Sequence, residues 1–144
     1  PVLSMLENLE VERPASWLHG TQNGNHHAYR DRVRQIAATR KGDLNCRVWY
    51  SKPTDDDGLA GGMESCPALF NLSRFHFEGR MDLKEATKSF SGSEEEYKFP
   101  KDMLQLEDRC TQYYLCGPNG FMQAQQDALE ALGVELSRFH SEGF

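Results

Sequence analysis

Long hydrophobic runs, a surplus of basic side chains and a dense cysteine framework are all missing from this 144-residue chain. No apolar segment approaches the roughly 20 residues needed to cross a bilayer, so the sequence predicts no contact with a membrane. Sixteen basic against 22 acidic side chains give a net charge of −6, which argues against a nucleic-acid partner. With 38% hydrophobic and 26% charged residues, the composition is that of one globular domain, residues 1–144.

The cysteines and histidines show no pattern of a metal site. The four cysteines are Cys46, Cys66, Cys110 and Cys116. They include no CxxC pair and no histidine at zinc-ligand spacing. The adjacent His26 and His27 have no evident partner ligand, so a solvated helix start is the favoured interpretation. A disulfide is possible, but without a signal-peptide pattern the sequence favours four free thiols in a reducing cytoplasm and no metal ligands.

Strand and helix patterns alternate along the chain. Residues 15–19 and 47–50 have the composition of strands, and apolar residues at helical spacing lie between them. Residues 113–116 precede a second segment with apolar residues at helical spacing, and the composition of residues 136–141 predicts a final strand. This alternation predicts an α/β fold, a Rossmann-like parallel sheet with helices on both faces. Ligands of such sheets bind where the strands end, so the residues that follow each strand are the functional candidates.

One of these strand ends carries a glycine-rich turn. Cys116 ends the predicted strand, Gly117 and Pro118 follow it, and Gly120 and Phe121 open the next helix. Glycine lets the backbone approach a ligand closely, and a helix N-terminus favours anionic oxygen.

The acidic runs at 55–57 and 94–96 could dock a basic redox partner, but solvated loops are the favoured interpretation.

Taken together with other segments, this turn resembles part of a known family. The matching segments are WLH (17–19), QNG (22–24), HAY (27–29), VWY (48–50), EGRMDL (78–83), YLCGP and GFM (114–122) and FHSEGF (139–144). In this order they resemble the C-terminal NAD-binding module of the flavohaemoglobins, within the ferredoxin-reductase-like superfamily. Residues 1–6 look like the helix after the family's glycine-rich turn. The resemblance implies a fragment of a longer multidomain chain that lacks its first strand and that turn.

The resemblance also implies an activity. It predicts an NAD(P)H-dependent flavin oxidoreductase that passes hydride from NADH to FAD and electrons on to a haem b globin, for nitric oxide dioxygenation. The FAD and the haem would be held by a flavin-binding barrel and a globin domain of the same polypeptide. The isolated chain is expected to be inactive.

Site residues follow from the same resemblance. Cys116 would lie beside the nicotinamide, and Glu142 would tune the flavin potential, although a plain surface carboxylate is an equally good interpretation of Glu142. The residues implied in NAD binding are Pro1, Gly20, Thr21, Gln22, Cys116, Gly117, Pro118, Gly120 and Phe121. Those implied at the FAD are Gly143 and Phe144, whose ring would cover the flavin.

Three questions stay open at this point. NADPH-using members place Ser-Arg where this chain has Gly20, Thr21 and Gln22, which favours NADH, while Arg30 on the next helix keeps NADPH open. A flavin reductase that serves an iron–sulfur protein or an oxygenase would share this module. A dinucleotide-sensing domain without turnover is the third alternative.

Overall fold

The computed structural model describes residues 2–9, 13–40, 44–59, 74–88, 99 and 101–143. Pro1 and Phe144, two of the predicted site residues, lie outside this part of the chain. The chain divides into two compact units, Leu3–Met81 and Asp82–Phe144, with Val2 grouped with the second.

The first unit is built on a βαβ motif. Strand β1 (Ala15–Thr21) and strand β2 (Leu44–Tyr50) pair in parallel along their full lengths, from Ala15 beside Leu44 to Thr21 beside Tyr50. Helix α2 (Arg30–Thr39) makes the connection, and helix α1 (Val2–Asn8) precedes β1. The predicted strand–helix–strand order is therefore confirmed here.

Three short strands follow β2. Strand β3 (Gly58–Leu59) pairs with β4 (Arg74–Phe75), and β5 (Phe77–Glu78) adds to the free edge of β2. All of these pairings are parallel, as the α/β prediction requires. In the described part of the chain, the strands form three sheets. Two have the orders β1-β2-β5 and β3-β4, and the third, in the second unit, pairs β6 (Tyr113–Gly117) with β7 (Phe139–Gly143).

Apolar residues at helical spacing bury α2 against the sheet of the first unit. The buried cluster consists of Leu6, Val33, Ile36, Ala37, Leu44 and Cys46. Val33, Ile36 and Ala37 recur at three- and four-residue intervals, so they form one face of α2. The packing holds α2 against the first half of β2.

Cys46 differs from the expectation for the cysteines. It is disulfide-bonded, whereas Cys110 and Cys116 are free and exposed. The prediction of four free thiols is therefore wrong for Cys46. Disulfide formation requires two Cα atoms within about 7 Å in the folded chain, which sequence spacing does not reveal.

The second unit contains another βαβ motif. Strand β6 (Tyr113–Gly117) leads into helix α4 (Asn119–Ala131), and β7 (Phe139–Gly143) returns parallel to β6. Helix α3 (Leu83–Thr87) begins at Asp82, whose carboxylate accepts a hydrogen bond from the Glu85 amide at 3.2 Å.

Helix α4 is anchored by one buried face and by a glycine at its end. Met122, Gln125 and Leu129 are buried, and the Gln125 side chain accepts a hydrogen bond from the Leu83 amide at 3.2 Å. Gly133 has φ +97° and donates to the Glu130 carbonyl at 2.9 Å, which ends the helix as predicted.

Candidate functional site

The turn between β6 and α4 depends on Gly117. This residue has φ +152°, and a Cβ atom added to it would lie 2.8 Å from Cδ1 of Phe121. Pro118 is extended, with φ −61° and ψ 149°, and its carbonyl accepts the first helical hydrogen bond from Met122 at 3.0 Å. The turn therefore needs a residue without a side chain at position 117.

The two predicted catalytic residues are neighbours in the second unit. Cys116 of β6 pairs with Glu142 of β7, and Gly117 pairs with Gly143. Paired residues of parallel strands point to the same face, and adjacent strands lie about 4.8 Å apart. The thiol of Cys116 and the carboxylate of Glu142 therefore lie next to each other. Both residues are exposed, so a ligand can reach them.

An aromatic pair extends this exposed face. Tyr114 and His140 are also partners in the ladder, and their rings stack with centroids 4.7 Å apart. Nε2 of His140 lies 2.8 Å from Oε1 of Gln112. No motif predicts a role for these two residues, although alternation along both strands places Tyr114 on the face of Cys116 and His140 on that of Glu142.

The N-terminus of α4 is open. Pro118, Asn119 and Gly120 are exposed, no side chain caps the helix, and its first turn carries no acidic residue. A Cβ atom on Gly120 would meet nothing within 4 Å. The first amide groups of α4 are therefore not neutralised by a carboxylate of that turn.

The other predicted NAD-binding residues end β1 in the first unit. Gly20 packs closely, since a Cβ atom on it would lie 3.2 Å from Cβ of Met81. The Thr21 carbonyl accepts a hydrogen bond from the Ser51 amide at 3.0 Å, and that of Gln22 accepts one from Lys52 at 2.8 Å. The main chain of this segment is thus fixed, while Gly20 and Gln22 remain exposed.

Side chains hold the loop that follows. The Asn23 side chain accepts a hydrogen bond from the Asn25 amide at 3.0 Å, and the Thr21 hydroxyl donates to the His26 carbonyl at 3.0 Å. The Asp57 carboxylate accepts hydrogen bonds from the Gly24 amide at 3.2 Å and the Thr54 amide at 2.8 Å. The acidic run at 55–57 therefore contains one residue that braces this loop.

His27 lies inside the loop in a stack of rings. Its ring stacks on that of His19 with centroids 4.7 Å apart, and its Nδ1 lies 2.8 Å from the Tyr50 hydroxyl. Burial, with smaller contributions from His19, Arg30 and Arg34, lowers the pKa of His27 to about 3. Burial also lowers the pKa of His19. The expected solvated helix start is wrong for His27, because its ring packs inward.

The buried His27 predicts acid sensitivity. Below its ordinary pKa of 6.5 the unfolded chain binds a proton there, while the folded chain stays neutral until about pH 3. Stability contributed by His27 is therefore lost as the pH falls, by about 2 kcal/mol between pH 7 and pH 5. Urea unfolding at both pH values should show this loss in the free energy of unfolding. In His27→Phe, the loss between pH 7 and pH 5 should be smaller by about 2 kcal/mol. Equal losses in both proteins would contradict the assignment.

Tyr29 is a strained residue directly before α2. It adopts φ +62° and its side chain is 62% exposed. Left-handed backbone in a bulky residue costs about 1 kcal/mol or more, and such strain concentrates at functional sites. An exposed aromatic ring is a surface on which a nucleotide base can stack.

The predicted site residues thus fall into two groups. The first unit holds Gly20, Thr21 and Gln22. The second unit brings together Cys116, Gly117, Pro118, Gly120, Phe121, Glu142 and Gly143. Among the described residues, no cluster of three or more histidine, cysteine or acidic side chains could hold a metal ion. None of the helices described is long and apolar enough to span a membrane.

Comparison with known proteins identifies relatives over the whole chain. No family model matches it. It is 32% identical over 146 residues to the flavohemoprotein of Chromobacterium violaceum, and 29% identical over 148 residues to that of Rhizobium meliloti. Each match covers 100% of this chain but only 29% of the relative, so the chain spans less than a third of their length.

The fold also has a solved counterpart. The flavohem-like FAD/NAD-binding domain of nitric oxide dioxygenase from Vibrio cholerae superposes with a TM-score of 0.54, at 21% sequence identity. The match covers 94% of this chain and 53% of that one. The resemblance seen in the sequence and the predicted α/β fold are both confirmed. The chain is a homologue of the C-terminal part of the flavohemoproteins and has the fold of their FAD/NAD-binding domain.

Proposed function

We propose that this chain is the NADH-binding module of a flavin-dependent oxidoreductase of the nitric oxide dioxygenase type. The observation that carries the proposal is the pairing of Cys116 with Glu142 on an exposed face, directly before the turn at Gly117. This places a soft side chain and a carboxylate at the carboxyl ends of parallel strands, where α/β sheets bind their ligands.

Cys116 would contact the nicotinamide. Hydride transfer requires donor and acceptor in van der Waals contact with water excluded. A thiol is small and polarisable, so it fills the space beside the nicotinamide ring without separating the reactants. Bound FAD would supply a hydride acceptor that can also transfer electrons singly. No proton has to be abstracted from NADH, so Cys116 needs no neighbouring base.

Glu142 would act through its charge. The carboxylate is exposed and stands beside Cys116. A negative charge close to the flavin makes the addition of electrons less favourable, and the effect decreases with distance and solvent screening. Glu142 would thereby lower the flavin potential without touching the transferred hydride.

The start of α4 would receive the dinucleotide's anionic groups. Its amides are uncapped by side chains, and Gly120 leaves open space around the backbone. Helix N-termini attract phosphate oxygens through these amides and the helix dipole. The bare Cα atom of the exposed Gly120 fits the close backbone approach that a dinucleotide requires.

NADH is the cofactor that this chain favours. Thr21 and Gln22, at the end of β1, carry no charge that could hold a 2′-phosphate. Arg30 is engaged by Asp31, with 3.4 Å between Nε and Oδ1, which offsets its positive charge. We therefore propose NADH in place of NADPH.

Other domains of the same polypeptide would supply FAD and haem b. The relatives are more than three times as long as this chain. A flavin-binding barrel and a globin domain would account for the additional length. Nitric oxide dioxygenation would then take place at the globin, with this module providing the reducing equivalents.

The absorption spectrum of the full polypeptide tests this proposal. We expect flavin bands and a haem Soret band, and both should change when NADH is added under argon. Flavin without haem would favour a flavin reductase that serves another acceptor. A protein that binds NADH while its chromophores do not change, or that lacks chromophores, would favour a sensing domain and contradict the proposal.

A further inference from the structure

The loop after β1 closes over a buried polar pair. The Tyr50 side chain is fully buried at the end of β2, and its hydroxyl is hydrogen-bonded to Nδ1 of His27 at 2.8 Å. The His27 ring also meets the Tyr50 ring edge-on, with centroids 5.6 Å apart. His27 is thus held by a hydrogen bond and by ring contacts on two sides, from Tyr50 and His19.

This cluster contains a polar atom that is costly to bury. Nε2 of His19 is buried and has no hydrogen-bond partner in the described part of the chain. Both imidazoles have lowered pKa values because burial penalises their charged forms. A purely structural core would avoid this cost with apolar rings of similar size. The cost therefore indicates that the polar cluster serves the adjacent loop.

Hydrogen bonds connect the main chain around His27 with the segment at the end of β1. Its amide donates to the Gly24 carbonyl at 3.4 Å, and the preceding carbonyl of His26 accepts the Thr21 hydroxyl at 3.0 Å. A displacement of His27 would therefore change the contact of the Thr21 side chain, next to the exposed Gln22, while the Thr21 main chain stays paired with β2.

We propose that His27 is a positioning residue for NADH: its hydrogen bond to Tyr50 holds the loop after β1 in the shape that receives the dinucleotide. This inference rests on the proposed function, since it assigns a role in binding the same cofactor. His27 does not itself contact the reacting atoms. Its effect is on NADH binding, not on the rate of hydride transfer.

Steady-state kinetics of the full polypeptide test this role. Tyr50→Phe removes only the hydroxyl, and His27→Phe keeps the stacked ring but removes Nδ1. Each variant should raise KM for NADH about fivefold, the equivalent of one hydrogen bond, with kcat within twofold of the unchanged protein. The double variant should show no further increase, because both changes remove the same interaction. Tyr113→Phe, which removes a buried hydroxyl that donates to the Leu104 carbonyl at 2.7 Å and lies outside this loop, is the matched control and should leave both constants unchanged.

The possible outcomes separate this inference from the proposed function. If KM for NADH is unchanged in Tyr50→Phe, or if kcat falls as much as KM rises, the positioning role is wrong. If His27→Phe fails to fold, Tyr50→Phe alone decides. If the unsubstituted polypeptide itself oxidises no NADH, the proposed function is wrong as well. The results for the variants alone do not test the proposed function.

Discussion

Replacing Gly117 with alanine should destabilise the protein by about 2 to 4 kcal/mol. The residue has φ +152°, and the new Cβ atom would lie 2.8 Å from Cδ1 of Phe121. Unfavourable backbone conformation costs about 1 kcal/mol, and overpacking against a ring adds about 1 to 3 kcal/mol. Urea unfolding of the chain and of the variant measures the difference in free energy.

Two further glycines separate the causes. Gly133 has φ +97° but open space around it, so Gly133→Ala should cost only the backbone term of about 1 kcal/mol. Gly120 lies in α4 with open space and no positive φ, so Gly120→Ala should be neutral or slightly stabilising. Equal free energies of unfolding in all three variants would contradict the close approach of the Phe121 ring to Gly117.

The βαβ motifs could be predicted because their signals are local. Val33, Ile36 and Ala37 recur at helical spacing and are buried on α2, and Gly133 ends α4 as its sequence position indicates. The boundaries of the last strand could not be predicted. A 3₁₀ turn, Leu136–Arg138, precedes β7, because the buried Arg138 side chain donates to the carbonyls of Thr111 at 2.9 Å and Asp108 at 3.0 Å.

The candidate site was predictable only in part. The resemblance selected Cys116 and Glu142 separately. Their pairing depends on the register between β6 and β7, which is set by hydrogen bonds between residues far apart in the sequence. The burial of His27 was missed because it depends on Tyr50, 23 residues away along the chain. Tyr29 was missed because its positive φ follows from the path of the loop and has no sequence signal for a tyrosine.

The second large effect is expected at Cys116. Cys116→Ala should slow hydride transfer from NADH to the flavin by roughly ten- to a hundredfold, because a small misplacement of the nicotinamide is amplified in the rate. The fold should change little, since the side chain is exposed at the end of β6. Cys110→Ala is the matched control: Cys110 is also free and exposed, but it lies outside the predicted site.

Anaerobic flavin reduction by NADH, followed by stopped flow in the full polypeptide, tests whether hydride transfer takes place beside Cys116. We expect rapid reduction in the unchanged protein and in Cys110→Ala, and a rate at least tenfold lower in Cys116→Ala. All three proteins should keep the same flavin content and stability. A Cys116→Ala rate within twofold of the unchanged protein, or an equal fall in Cys110→Ala, would contradict the assignment of this strand end as the site of hydride transfer.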